Sequence, residues 1–139
     1  METFKGIKII RFLPGTLAFI LSLILLTLPG SAFPKEDFFD SVYLDKWIHV
    51  GMFGGLVLLW SIPFMQALLG LGKKRKTVLW IALTALTYGI VMEFVQKYFI
   101  PNRSFDVYDI LADGVGSFIP FFLIRQMNKI ANRKRSRTS

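Results

Sequence analysis

The sequence of 139 residues has no cysteine, only one histidine and only nine acidic residues. The missing cysteines exclude disulfide bonds and thiolate chemistry, and they leave the cellular compartment open. A chain with one histidine and no cysteine also lacks the ligands of an ordinary zinc site. Linkers, low-complexity stretches and internal repeats are missing as well, so we predict a single domain spanning residues 1–139.

Hydrophobic residues, by contrast, make up 53% of the chain and raise its mean hydropathy to +0.51, which is too apolar for a soluble domain of this size. A helix needs roughly 20 residues to cross the ~30 Å hydrocarbon core of a bilayer. Four apolar segments of about that length occur, at roughly residues 12–28, 47–71, 78–96 and 107–124. They do not alternate apolar and polar residues as transmembrane β-strands do. The sequence therefore predicts an all-α membrane protein, a bundle of four transmembrane helices.

The 17 Lys and Arg residues are distributed unequally between the two sides of these segments. Thirteen lie before the first segment, between the second and the third, or in residues 125–139, and four lie on the opposite side. The positive-inside rule therefore places both termini and the 73–76 loop in the cytoplasm, with 125–139 as a basic cytoplasmic tail. Eight of the nine acidic residues then lie in the outer loops or outer helix halves. Because the net charge of +8 comes from short runs beside helix ends, we attribute it to topology and anionic-lipid contact and expect no nucleic-acid partner.

The first segment has the features of a secretory signal as well as those of a membrane helix. Basic residues, a leucine-rich stretch and Gly30-Ser31-Ala32 fit a signal peptide that is cleaved after Ala32. The apolar run from Phe12 to Leu28 is long for a signal peptide, so we favour a retained helix. The loop from Pro29 to Asp45 mixes aromatic and charged residues, and it is either an interfacial segment on the outer leaflet or a flexible loop.

Nine polar residues lie at the predicted outer ends of the last three segments. They are Asp45, Lys46, His49, Glu93, Gln96, Arg103, Asp106, Asp109 and Asp113. Since a charge inside a membrane is costly, its recurrence near one surface predicts a functional site. The helical repeat places Asp45 and His49 on one face of the second segment, and Glu93 and Gln96 on one face of the third. On the fourth, the three aspartates form one acidic stripe.

Small residues predict which helices approach each other. Gly51 and Gly55 form a small-xxx-small step on the second helix, and Ala112, Gly116 and Pro120 form another on the fourth. Close approach along these steps would bring His49 towards Asp109 and Asp113. We therefore predict that contact.

These polar residues have a structural interpretation beside the functional one. Lys46 or Arg103 can neutralise an aspartate, and Gln96 can bond a neighbouring helix, so the groups would join the helices and do nothing else. For Asp45, Lys46 and Asp106, nearest to water, the two interpretations are equally good. Glu93, Asp109 and Asp113 lie deeper and would repel one another, which favours a function for them. His49 is either a general acid or base or a hydrogen-bonded structural histidine.

The three later segments resemble the VanZ-like family of small bacterial multi-pass membrane proteins. The resemblance rests on D-K-x-x-H at Asp45 to His49, E-x-x-Q at Glu93 to Gln96, and R-S-x-D-x-x-D at Arg103 to Asp109, followed by Gly116. It implies a multi-pass protein of the bacterial cytoplasmic membrane with a role in the cell envelope, and an influence on susceptibility to glycopeptides such as teicoplanin. The family pattern usually has Asn at the position of Asp113, so this chain departs from it there.

Two functions compete. In the first, a non-catalytic protein binds a lipid headgroup or a lipid-linked cell-wall precursor, with Lys46 and Arg103 on phosphate and the acidic groups on an amine, a hydroxyl or a bridging divalent cation. In the second, an intramembrane enzyme acts on an envelope lipid through His49 and a carboxylate, with magnesium, manganese or no metal. No nucleophile motif is present, which favours the first, and we predict no cofactor. Transport is less favoured because the inner halves of the segments carry no comparable polar groups.

Overall fold

The computed structural model describes residues 8–32, 43–67 and 69–135, and it describes side chains up to residue 126. The described residues form four α-helices: α1 (Leu13–Thr27), α2 (Leu44–Gln66), α3 (Leu71–Phe99) and α4 (Val107–Arg135). A 3-10 turn, Ile9–Phe12, precedes α1, and no strand occurs within the described ranges. Each helix, α1 together with its 3-10 turn, is long and apolar enough to cross a membrane, which confirms the predicted four-helix membrane fold. The N-in/C-in orientation stays a prediction.

The second and third helices have different limits from those of the apolar segments. α2 begins at Leu44 and ends at Gln66, five residues before the predicted end, because Ala67 takes an extended conformation. α3 then begins at Leu71, after the extended Gly70, and runs through the basic stretch 73–76, so the prediction of a loop there is wrong. Lys and Arg are good helix formers, so the helix already begins before the apolar segment that starts at residue 78. Hydropathy predicted the apolar part of α3, and the helix itself is longer than that part at both ends.

The basic tail also differs from the prediction. α4 begins at Val107 as expected but continues to Arg135, so most of the segment 125–139 is helical and extends the fourth transmembrane helix. Residues 136–139 lie outside the described residues, as does the 33–42 part of the predicted interfacial loop.

α2 and α4 approach each other closely, and glycine makes this possible. A Cβ built on Gly116 would meet the carbonyl oxygen of Val50, and one built on Gly54 would lie 3.3 Å from the carbonyl oxygen of Gly116. Gly51 and Gly55, by contrast, have open space beside them. The predicted small-xxx-small step is therefore correct on α4 and wrong on α2, where the contact lies on the face of Gly54.

α1 packs mainly on α2, near the end where α1 begins. The ring of Phe12 lies 5.7 Å from Trp60 and 5.5 Å from Phe64, measured between centroids. Gly15 is buried against the Trp60 ring, where a Cβ would come within 2.9 Å. Further along, Ser22 Oγ and the Tyr88 hydroxyl of α3 form a hydrogen bond of 3.2 Å. α1 is thus attached to the bundle along its length, and its retention in the mature protein stays a prediction.

The bundle has two chemically different ends. We call the end where α2 begins, α3 ends and α4 begins the polar end, because it carries Asp45, Lys46 and Asp106. The opposite end, with Lys8, Arg11 and Lys73 to Lys76, is the basic end. The apolar core between them is built around Phe53, Leu56, Val57, Ala82 and Ala85.

Candidate functional site

Four of the nine predicted residues form a cluster around one ammonium group at the polar end. Lys46 Nζ lies 2.5 Å from Asp106 Oδ2, 2.6 Å from Asp109 Oδ1 and 2.8 Å from Asp45 Oδ2. The first turn of α2 supplies two of these residues, and the start of α4 supplies the other two. We call these four residues the Lys46 cluster. With one positive and three negative groups, it has a formal charge of −2 when all are ionised.

His49 and Asp113 form a buried pair directly below the Lys46 cluster. His49 Nδ1 lies 2.8 Å from Asp113 Oδ1, and the two residues are 6% and 1% exposed. His49 Nε2 lies 4.0 Å from Asp109 Oδ1, so the imidazole stands between two carboxylates. This geometry confirms the predicted approach of His49 to both aspartates. Gly89 of α3 makes room for the pair, since a Cβ there would collide with the Asp113 carboxylate.

Glu93 contacts the start of α4 through the backbone. Its Oε2 atom accepts a hydrogen bond of 2.9 Å from the backbone N–H of Asp106, and the residue is only 1% exposed. The carboxylate therefore connects the end of α3 to the loop that leads into α4.

Asp106 lies just before α4 and acts as an N-cap, so it does not continue the helical stripe of Asp109 and Asp113 as predicted. Its Oδ1 atom accepts a 2.8 Å hydrogen bond from the backbone N–H of Tyr108, which would otherwise lack a helical partner. Partial burial would raise the pKa of Asp106, but the hydrogen bonds from Lys46 and from Tyr108 outweigh it and lower that pKa. Asp106 is thus held in its ionised form.

Gln96 and Arg103 contact α1 and the residue that follows it. Gln96 Nε2 donates a 2.9 Å hydrogen bond to the carbonyl oxygen of Leu26, and Arg103 Nε donates a 3.5 Å one to that of Leu28. The backbone carbonyls at the C-terminal end of a helix have no N–H partner within that helix, and these two side chains supply one for Leu26 and for the cap residue Leu28. The contact of Gln96 is the interhelical bond expected under the structural interpretation.

A groove opens beside the Lys46 cluster, between α2 and α4, and encloses about 690 Å³. It is lined by Tyr43, Asp45, Lys46, Asp106, Tyr108, Leu111, Ala112 and Val115. The charged residues line the part of the groove at the polar end, and the three aliphatic residues of α4 line the part nearer the middle of the bundle. The tyrosine and aliphatic walls could not be predicted from the sequence, because apolar residues at helical spacing occur on every lipid-facing helix and do not mark a groove.

The Lys46 cluster also contains a set of oxygen ligands that a cation would favour. Asp45, Asp106 and Asp109 each offer a carboxylate oxygen, and the three oxygens lie within 4.8 Å of one another. Hard divalent cations prefer such oxygen ligands. Lys46 Nζ bonds to the same three carboxylates, so a divalent cation would have to displace it.

The comparisons with known proteins add no relative: no protein family model, no curated protein and no solved structure matches this chain significantly.

Proposed function

We propose that this chain is a VanZ-like integral protein of the bacterial cytoplasmic membrane that binds the amine-bearing headgroup of a lipid, or of a lipid-linked cell-wall precursor, at its polar end. The proposal depends on the groove between α2 and α4, which is charged above and aliphatic below. A lipid has the same division between a polar headgroup and a hydrocarbon chain. The basic end would face the cytoplasm, so the groove would open in the outer leaflet.

The charge of the Lys46 cluster supports an ammonium group as the ligand and not a phosphate. Lys46 Nζ already bonds to three carboxylates, so its positive charge is more than compensated. A phosphate there would meet a net negative field, whereas an ammonium group would reduce it. Asp45 has a side chain that is 60% exposed, which makes it the most accessible carboxylate for this contact. In this proposal Lys46 positions the carboxylates and does not hold phosphate as the sequence suggested.

The aliphatic wall would hold the hydrocarbon chain of the same ligand. Leu111 and Val115 are four residues apart on α4, and both are more than half exposed. Four residues correspond to one helical turn, or about 6 Å along the membrane normal. A chain that lies against them would continue downwards from the headgroup at the Lys46 cluster.

Native mass spectrometry of the purified protein tests the proposal with three added lipids: phosphatidylethanolamine, phosphatidylcholine and phosphatidylglycerol. We expect phosphatidylethanolamine to be retained best, because only its headgroup has an ammonium that donates N–H hydrogen bonds. Asp45→Asn should reduce its retention about tenfold, since a hydrogen bond to a charged group contributes about 1.5 kcal/mol. Val115→Trp should reduce the retention by filling the groove.

Val91→Trp is the matched control for the groove variant. Val91 is 51% exposed on α3, and Val115 is 55% exposed on α4. Each lies eight residues from the polar end of its helix, but Val91 does not line the groove. Equal retention of all three lipids, or equal loss in the two tryptophan variants, would contradict the proposal.

An intramembrane acid–base enzyme is the second candidate, and the pair of His49 and Asp113 favours it. A carboxylate on Nδ1 fixes the imidazole and leaves Nε2 for proton transfer. Against it, His49 is 6% exposed and lies beneath Lys46 and Asp109, so a substrate would have to displace them. Turnover of an envelope lipid that is abolished by His49→Gln would favour the enzyme over the binding protein.

A further inference from the structure

A second groove, unrelated to the Lys46 cluster, runs along the half of the bundle that adjoins the basic end. It has a volume of about 350 Å³ and lies between α1, α2 and α3. The residues that define its walls are Phe19, Leu56, Trp60, Thr77, Trp80 and Tyr88. Its surface is apolar apart from a few hydroxyl groups, so it is not a site for water or for a polar solute. We call it the Trp groove.

The length of the Trp groove corresponds to one leaflet of a membrane. On α3 it extends from Thr77 to Tyr88, which is 11 residues or about 16 Å of helical rise. Half of a ~30 Å hydrocarbon core is ~15 Å. Trp80 lines the groove and is 60% exposed, so the groove is open on its lipid-facing side. An acyl chain that runs along the bundle therefore fits the groove over its full length.

Basic residues continue the same face of α3 beyond the groove. Lys73 and Lys74 precede Thr77 by four and three residues, so they lie on the groove face, whereas Arg75 lies on the opposite face. Lys73 is exposed, and Lys74 Nζ donates a 2.6 Å hydrogen bond to the carbonyl oxygen of Met65. The sequence has no acidic residue between Asp45 and Glu93 to compensate this charge.

We infer that the Trp groove is a binding site for an anionic phospholipid of the leaflet at the basic end, with one acyl chain in the groove and the phosphate on Lys73 and Lys74. The apolar walls alone would accept a chain of any lipid or a helix of another protein. Lys73 and Lys74, at the mouth of the groove, select an anionic headgroup. Each lysine beside an anionic lipid strengthens its binding about fivefold. This site is independent of the proposed function, since it lies in the other half of the bundle.

The tryptophan residues of the chain provide the test. Two of its three tryptophans, Trp60 and Trp80, line the groove, and Trp47 lies near the polar end. In the variant Trp47→Phe, both remaining tryptophans therefore line the groove. Reconstituted into phosphatidylcholine bilayers with a small fraction of brominated phosphatidylglycerol, it should lose more fluorescence than with the same fraction of brominated phosphatidylcholine. We expect an apparent preference of up to about 25-fold, since each of the two lysines contributes about fivefold.

Two pairs of variants separate the headgroup contact from the chain contact. Lys73→Gln should lower the preference for phosphatidylglycerol about fivefold, whereas Arg75→Gln, on the opposite face, should leave it unchanged. Thr84→Phe fills the groove and should reduce the quenching, whereas Thr87→Phe should not. Both threonines are exposed, so neither variant should disturb folding. Equal quenching by the two brominated lipids would overturn the inference, and so would quenching that falls as protein density rises, which would indicate a second copy in the groove.

Discussion

The two halves of the bundle are held together by different forces. In the polar half, α2 and α4 are joined by the Lys46 cluster and by the pair of His49 and Asp113. In the half near the basic end, Phe12, just before α1, packs its ring on the Trp60 and Phe64 rings of α2, and the Trp groove remains between the helices. Because lipid is as apolar as a protein core, apolar side chains gain little by leaving it for each other. Polar groups find no partner in lipid, so the polar contacts determine which helices meet and at what depth in the membrane.

The two halves also differ in whether the same residues serve both helix packing and ligand binding. The Lys46 cluster stabilises the contact of α2 with α4 and lines a groove, so the same residues serve the fold and the proposed site. At the basic end, within the described residues, the lysines of α3 contact no carboxylate, and in our inference their charge binds a lipid phosphate. A variant in the polar half should therefore change stability more than an equivalent variant in the other half.

The largest effect is expected for His49→Leu. This change leaves the buried carboxyl group of Asp113 without its hydrogen-bond partner, and a buried polar group that loses its partner costs about 3 kcal/mol. Unfolding in mixed detergent micelles would measure it. Val57→Ala, at a fully buried apolar position of the same helix, should cost only about 1–2 kcal/mol, because it removes packing alone.

A double variant sharpens this test. Replacing both His49 and Asp113 by leucine also removes the unsatisfied carboxyl group, so it should recover most of the stability that His49→Leu loses. If the double variant is no more stable than the single one, the pair is not what the histidine stabilises.

An intermediate effect is expected for Gly116→Ala. The added methyl group would collide with the carbonyl oxygen of Val50, and overpacking of this kind costs about 1–3 kcal/mol. Gly51→Ala is the control, since a Cβ there meets nothing within 4 Å. The same micelle unfolding should show no loss for the control. Equal losses would mean that α2 and α4 meet on another face.

The smallest effect is expected for Gln96→Leu. The substitution removes the hydrogen bond to the carbonyl oxygen of Leu26, which contributes about 1 kcal/mol and attaches the end of α1. Gln66→Leu, at an exposed position, should stay within about 0.5 kcal/mol of the parent. Thermal unfolding of both variants in one detergent would measure the difference. A Gln96→Leu protein as stable as its control would show that this hydrogen bond does not hold α1 in place.

The sequence was sufficient to predict the number of helices and the meeting of polar residues from the last three segments at one end of the bundle. Antiparallel helices with short connections bring the start of α2, the end of α3 and the start of α4 to one end. His49 and Asp113 then share a depth, because each lies a few residues inside its helix. The sequence could not show that Lys46 would take three carboxylates, since side-chain partners depend on helix rotation, which periodicity leaves free.

The rotation of α2 is the clearest case. Gly51, Gly54 and Gly55 are all small, and the sequence offers no means of choosing between the faces they define. The structure selects the face of Gly54, the same rotation that brings His49 to Asp113. The buried pair thus accompanies a packing contact that small residues alone would leave ambiguous.

By itself, the sequence determined the class of this protein, its four membrane segments and the residues that must gather at one end. Hydropathy and charge act on each segment separately, so they can be read along the chain without knowledge of the neighbours. Only the tertiary structure decided the partners of each charge, the aliphatic wall beside the Lys46 cluster and the existence of the Trp groove. These features arise from the rotation and the spacing of whole helices, and no local pattern in the chain encodes them.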